Sequence, residues 1–194
     1  MSAGNKVCFM VNKPSTSTSV LLVTDGTAAG TVPLYEFMSV YNNNLYPAYV
    51  NIGSTLYFAA HDGVNGKELW KTDGTPGGTF LAADINAGSA NSAPTSMVEL
   101  DNQLYFAATT VASGNELWKF DGTIASLVKD INPGTASSGP FGLVISNNKI
   151  VFRASDGING SELWMSDGTG ANTTMIADIN PGITGSFANT FTSG

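Results

Sequence analysis

The stretch Leu56-Tyr57-Phe58-Ala59-Ala60, followed by Glu68-Leu69-Trp70-Lys71-Thr72-Asp73-Gly74-Thr75, decides the fold, because the chain repeats it. Glu68-Leu69-Trp70 recurs as Glu116-Leu117-Trp118 and as Glu162-Leu163-Trp164. Asp73-Gly74-Thr75 recurs as Asp25-Gly26-Thr27, Asp121-Gly122-Thr123 and Asp167-Gly168-Thr169. The four aspartates are spaced by 48, 48 and 46 residues. Phe58, Phe106 and Phe152 each stand 12 residues before a tryptophan. Asp84-Ile85-Asn86 is matched by Asp130-Ile131-Asn132 and Asp178-Ile179-Asn180, with Glu36-Phe37 in the first copy. Such a fixed interval marks a repeat architecture, here of about 47 residues per copy. The copies run approximately over 5–53, 54–101, 102–147 and 148–194, and together form a single repeat domain over 5–194.

Each copy predicts four short strands. In the second they are Leu56–Ala60, Glu68–Thr72, Thr79–Ile85 and Thr95–Leu100. These segments are rich in aromatic and β-branched residues and are bounded by Gly, Asn, Asp and Pro. Leu56–Ala60 is apolar at successive positions, which suits a sheet covered on both faces. Composition agrees: 22 glycines, and 12% charged residues where a soluble domain has about 25%. Nothing reads as a helix of useful length.

Gly53-Ser54, Asp101-Asn102 and Asn147-Asn148 read as two-residue hairpin turns, since Gly, Asn and Asp tolerate positive φ. They predict that the fourth strand of one copy pairs with the first strand of the next. Four strands per copy is the arithmetic of a β-propeller blade. The fold expected is all-β, a β-propeller-like array of four four-stranded repeats. A closed four-bladed ring is favoured, with Lys6–Met10 pairing the segment around Phe191. A fragment of a larger propeller and an open, fibre-forming array are the alternatives.

The second copy, with its Glu68-Leu69-Trp70, Asp73-Gly74-Thr75, Gly78-Thr79 and Asp84-Ile85-Asn86, resembles the bacterial ELWxxDGT repeat family. The resemblance covers almost the whole chain. It is specific in copies two to four and weaker in copy one, where Leu22 stands in place of the tryptophan. It implies a secreted or surface-attached bacterial protein with no established catalytic activity, and it carries over no catalytic residue. Extracellular or cell-surface localisation is expected on that ground.

Charge removes several function classes. The net charge of -7 and a pI of about 4.4 repel phosphate backbones and anionic lipid, so no nucleic-acid partner is expected. No apolar run is long enough for a membrane-spanning helix, so no membrane insertion is expected either. Cys8 is the single cysteine, which excludes an internal disulfide and a cysteine-based zinc site.

The acids argue about chemistry. Of the 15, all but Glu99 and Asp101 stand at positions the repeat prescribes. A reaction site needs groups of unequal role, so the chain reads as not an enzyme, without catalytic residues. Asp25, Asp73, Asp121 and Asp167 read as structural turn residues that accept backbone N–H groups. The loops Asp62-Gly63-Val64-Asn65-Gly66-Lys67-Glu68 and Asp156-Gly157-Ile158-Asn159-Gly160-Ser161-Glu162 offer hard oxygens at three-residue spacing. Asp62, Asn65, Glu68, Asp156, Asn159 and Glu162 are therefore the weak candidates for holding calcium, the one cofactor considered. An ordinary glycine-rich turn, with the glutamate bonded to backbone amides, is the alternative. Trp70, Trp118 and Trp164 read first as core between sheets, and second as platforms for a glycan.

Two functions are expected from this. The first is a non-enzymatic extracellular scaffold, adhesin or filament subunit, with self-association or a surface protein as partner. The second is a carbohydrate-binding, lectin-like propeller.

Overall fold

The computed structural model describes residues 2–3, 6–38 and 49–186. Among the described residues every regular element is a strand. In chain order these are β1 (Ser2–Ala3), β2 (Lys6–Lys13), β3 (Thr18–Thr24) and β4 (Val32–Met38). Next come β5 (Tyr49–Ile52), β6 (Thr55–His61), β7 (Lys67–Thr72) and β8 (Phe80–Ala83). They are followed by β9 (Thr95–Leu100), β10 (Gln103–Thr110), β11 (Gly114–Phe120) and β12 (Ala125–Lys129). The last four are β13 (Phe141–Ser146), β14 (Lys149–Ser155), β15 (Ser161–Ser166) and β16 (Thr174–Ala177).

They form four antiparallel four-stranded sheets, numbered I to IV along the chain, each of four consecutive strands. The sheets are offset from the repeats by one strand. β5, β9 and β13 close one sequence copy yet pair with the first strand of the next. The turns that force this are those expected. Asp101, Asn102, Asn147 and Asn148 all have positive φ, as does Gly53. Paired positive φ gives the type I′ twist that matches the twist of the flanking strands.

The repeat positions become cross-strand neighbours. Phe58 faces Trp70, Phe106 faces Trp118, Phe152 faces Trp164, and Phe9 faces Leu22. Each sheet then carries one bulge at the same place. Leu69 faces Ala83 but Trp70 faces Leu81, leaving Ala82 over. Leu34, Val128 and Ile176 are left over in the same way. A bulge re-aims the extra side chain, and Leu34 and Val128 are thereby buried.

The chain divides into two compact units, Met1–Ala93 and Pro94–Gly194. The first holds sheets I and II around one core, in which Cys8, Leu21, Val23 and Phe37 pack with Leu56, Phe58, Ala60 and Trp70. The second holds sheets III and IV. There Tyr105, Leu117 and Val128 pack with Ile150, Phe152, Ala154 and Trp164. In each unit one face of a sheet covers the opposite face of the next.

The expected closing pair is not what borders β2. Ala3 pairs with Lys6 and Ser2 with Val7, so the N-terminal strand takes that place. The segment around Phe191 lies outside the described residues.

Candidate functional site

In sheets II, III and IV one end is built by the hairpin joining the second and third strands and by the loop leaving the fourth. A repeated glutamate ties the two together. Glu68, at the start of β7, is fully buried. Its Oε1 accepts the Ser92 N–H at 2.7 Å, and its Oε2 accepts the Ile85 N–H at 2.8 Å and the Ser92 hydroxyl at 2.5 Å. Glu116 does the same with Ser138 N–H, 2.8 Å, Ile131 N–H, 2.9 Å, and the Ser138 hydroxyl, 2.6 Å. Glu162 keeps the Ile179 N–H at 3.2 Å, and its Oε1 has no hydrogen-bond partner among the described residues. The loop also adds a backbone bond, from Ala93 N–H to the Lys67 carbonyl at 2.9 Å. Gly66 lets it approach: a Cβ there would collide with the Ala90 carbonyl. Gly114 does the same against Ala136.

Burial pushes the carboxyls of Glu68 and Glu116 above the ordinary glutamate value, against the pull of these donors. Each is a buried polar group whose oxygens are spent on its own loop. It works as a clamp, for which two acceptor oxygens and a short stem are required.

The opposite end carries the Asp-Gly-Thr turns. Asp73 Oδ1 accepts the Thr75 N–H at 2.9 Å and the Thr75 hydroxyl at 2.7 Å. Asp25 and Asp167 make the same two bonds to Thr27 and Thr169. The third copy lacks the following Gly-Thr pair, and there Asp121 accepts the N–H groups of Thr123 and Ile124 instead. These donors, the threonine hydroxyl first in the three full copies, hold the four carboxyls below the ordinary aspartate value. All four aspartates are turn acceptors.

The calcium candidates do not assemble a site. Asp62 Oδ1 accepts the N–H groups of Val64 and Asn65, both at 2.8 Å, and its Oδ2 accepts the Asn65 amide at 2.6 Å. Asp156 repeats this with Ile158 and Asn159. Burial opposes ionisation of Asp62 and Asp156, but these donors outweigh it and hold both carboxyls low. Glu68 is turned into the clamp and Glu162 is buried, so neither loop can offer Asp, Asn and Glu oxygens to one ion. No group of three or more His, Cys, Asp or Glu is arranged to hold a metal among the described residues. The donor set therefore does not fit calcium, which needs six to eight free oxygens.

Trp70 and Trp164 are not platforms, while Trp118 is half-buried. Trp70 is buried against Tyr35, 4.7 Å between ring centroids, and edge-on to Phe37 at 4.9 Å. Trp164 is buried in the core of its unit. Neither has a ring face free for a sugar, and the indole nitrogen of Trp118 is buried as well. The glycan-stacking expectation for Trp70 and Trp164 is corrected by this placement. A large flat apolar side chain opposite a phenylalanine is drawn between sheets.

One feature was missed in the sequence. The hairpin tips hold Val64, Val111 and Ile158 in solvent, 71%, 79% and 72% exposed. The signal was present as a lone aliphatic residue inside a polar, glycine-rich turn in three copies.

No family model matches the chain, and no curated protein matches it. Solved structures do. A Pyrococcus horikoshii acylaminoacyl peptidase superposes with a TM-score of 0.58 at 12% identity, over 93% of this chain and 27% of the other. A puromycin hydrolase S511A mutant complexed with PGG gives 0.53 at 14% identity, over 92% and 29%. The chain thus spans less than a third of the length of these structures. The likeness is one of fold. It overturns the expectation that the chain is not an enzyme, because this fold occurs within enzyme chains. The repeated placement of acids does not by itself exclude a reaction site.

Proposed function

We propose that the chain is an extracellular interaction module, a rigid frame of propeller blades that presents loops to a surface protein partner. The observation that carries this is the aliphatic side chain held bare at the same hairpin tip of sheets II, III and IV. An exposed apolar side chain on a mobile loop loses conformational entropy when it is bound. Here the loop is already held by Asp62 or Asp156, or by the Thr110–Ser113 bonds in sheet III, and the neighbouring loop by Glu68 and Glu116 in sheets II and III, so little remains to be lost. The extracellular setting rests on the resemblance to the ELWxxDGT repeats. The blade reading rests on the one-strand offset between repeat and sheet and on the bulge repeated in all four sheets.

The test uses bead-bound chain and the solubilised surface proteins of the producing cell. Val64→Lys, Val111→Lys and Ile158→Lys are combined in one variant whose melting temperature is checked first. The wild type is expected to retain a defined surface protein that the variant releases. Equal retention by both would remove the tips from the account. Retention of glycans in place of protein would restore the lectin reading on other residues.

A further inference from the structure

Sheet I meets sheet II through Cys8, Leu21 and Val23. By strand alternation its other face carries Val7, Phe9 and Val11 of β2 and Leu22 of β3. These positions have register equivalents in the other sheets. Against Val7, Phe9, Val11 and Leu22 stand Leu56, Phe58, Ala60 and Trp70 in sheet II, and Ile150, Phe152, Ala154 and Trp164 in sheet IV. In both units those equivalents are the residues covered by the preceding sheet. On sheet I this face is open along β2, with Val7 52% and Val11 43% exposed, while Phe9 and Leu22 are half-buried and Val20, opposite Val11, is buried; the Lys13–Glu36 ion pair stands at one end of it.

Sheet IV has the opposite shortage. Its Ile150 and Trp164 face is packed, while the face bearing Val151, Arg153, Leu163 and Met165 is only half-buried, with the Arg153 guanidinium lying over the Phe141 ring. The equivalents of Val151 and Leu163 in sheet III are Tyr105 and Leu117, both buried where they cover sheet IV. Sheet I thus carries a face whose repeat equivalents are covered, and sheet IV a face whose repeat equivalents do the covering.

We infer that the occupant of the sheet I face is a second copy of this chain, docked head to tail through its sheet IV face. The geometry is the sheet-on-sheet packing already present inside each unit, continued from one molecule to the next. Two different patches meet, so the contact is heterologous and extends into a ring or a filament. The inference uses sheet faces and not hairpin tips, and it stands or falls separately from the proposed function.

The experiment measures mass by light scattering over a concentration series, using the full chain. Val11→Glu blocks the sheet I face and Leu163→Glu blocks the sheet IV face. Val7→Glu, at the more exposed position, replaces Val11→Glu if that variant melts early. Wild type is expected to grow beyond 20.1 kDa with concentration. Each variant alone stays monomeric. Their equimolar mixture stops at the dimer, because one intact pair of faces remains. A wild type that stays monomeric throughout overturns the inference. If Val7→Glu then lowers the melting temperature, the face is covered within one chain instead.

Discussion

Glu116 receives the Ser138 N–H at 2.8 Å across 22 residues of chain. That single bond joins the start of one strand to the loop that leads into the next sheet, and Glu68 repeats it with Ser92. The carboxylates of Glu68 and Glu116 are thereby committed to the frame, and Glu162 keeps only the Ile179 N–H among the described residues.

Removing the Glu116 carboxylate leaves a buried donor unmatched. Glu116→Ala is expected to destabilise the Pro94–Gly194 unit by about 2 kcal/mol, since the Ile131 N–H then lacks its acceptor and Ser138 keeps only the Asn115 carbonyl. Glu116→Gln, which retains one oxygen but turns an amide toward N–H groups, should cost about 2 kcal/mol. Urea unfolding followed by tryptophan fluorescence measures both.

The acids oppose one another with pH. Glu68 and Glu116 have native pKa values raised above 4.5, so the folded state holds their protons more tightly than the unfolded state does. Their contribution to stability therefore rises as pH falls from neutral through the raised value, and it is lost as pH climbs back. Asp25, Asp73, Asp121 and Asp167 are lowered from 3.8. Their contribution is present above that value and disappears as pH drops through the native one. Melting temperature against pH should peak in the weakly acid range. Glu116→Gln should flatten the limb between that peak and neutrality and leave the acid limb in place.

The Asp-Gly-Thr turn contains its own control. A Cβ at Gly78 would collide with the Asp73 carboxylate. The fourth copy has Asn172 at that position, and its amide donates to Asp167 Oδ2 at 2.6 Å. Gly78→Ala is expected to cost about 1 kcal/mol by displacing Asp73 from Thr75, and Gly78→Asn to recover most of it. Thermal melts of the two variants decide this.

Calcium and chelator should leave the melting temperature and protease resistance unchanged, because the Asp62 and Asp156 oxygens are already taken. Scanning calorimetry with calcium and with EDTA checks it. A rise with calcium would mean that the loops reopen to bind.

The sheets were legible in the sequence because two local signals agreed. Asp101-Asn102 and Asn147-Asn148 announced the hairpins, and Phe58 and Trp70 kept a constant distance that a strand pair turns into facing neighbours. The aspartate turns were legible for the same reason, since their partners lie two or three residues away. The glutamates were harder. Glu68 finds its acceptor role 17 and 24 residues later, so the calcium loop and the clamp looked alike until the chain was folded. Val7 and Val11 align with core positions by repeat register, but alignment does not tell whether another sheet covers them. The exclusion of catalysis failed for a different reason. It treated the repeat as the whole of the molecule's chemistry.

Amide hydrogen exchange in wild type and Glu116→Gln tests most directly whether the recurring acids are spent on the frame. The amide of Ile131 should be protected in the wild type and exchange much faster in the variant, that of Ser138 should lose less because the Asn115 carbonyl still accepts it, and Thr75 and Thr169 should be unaffected. If the Ile131 amide exchanges freely in the wild type, or stays equally protected without the carboxylate, the clamp does not exist and the account is contradicted.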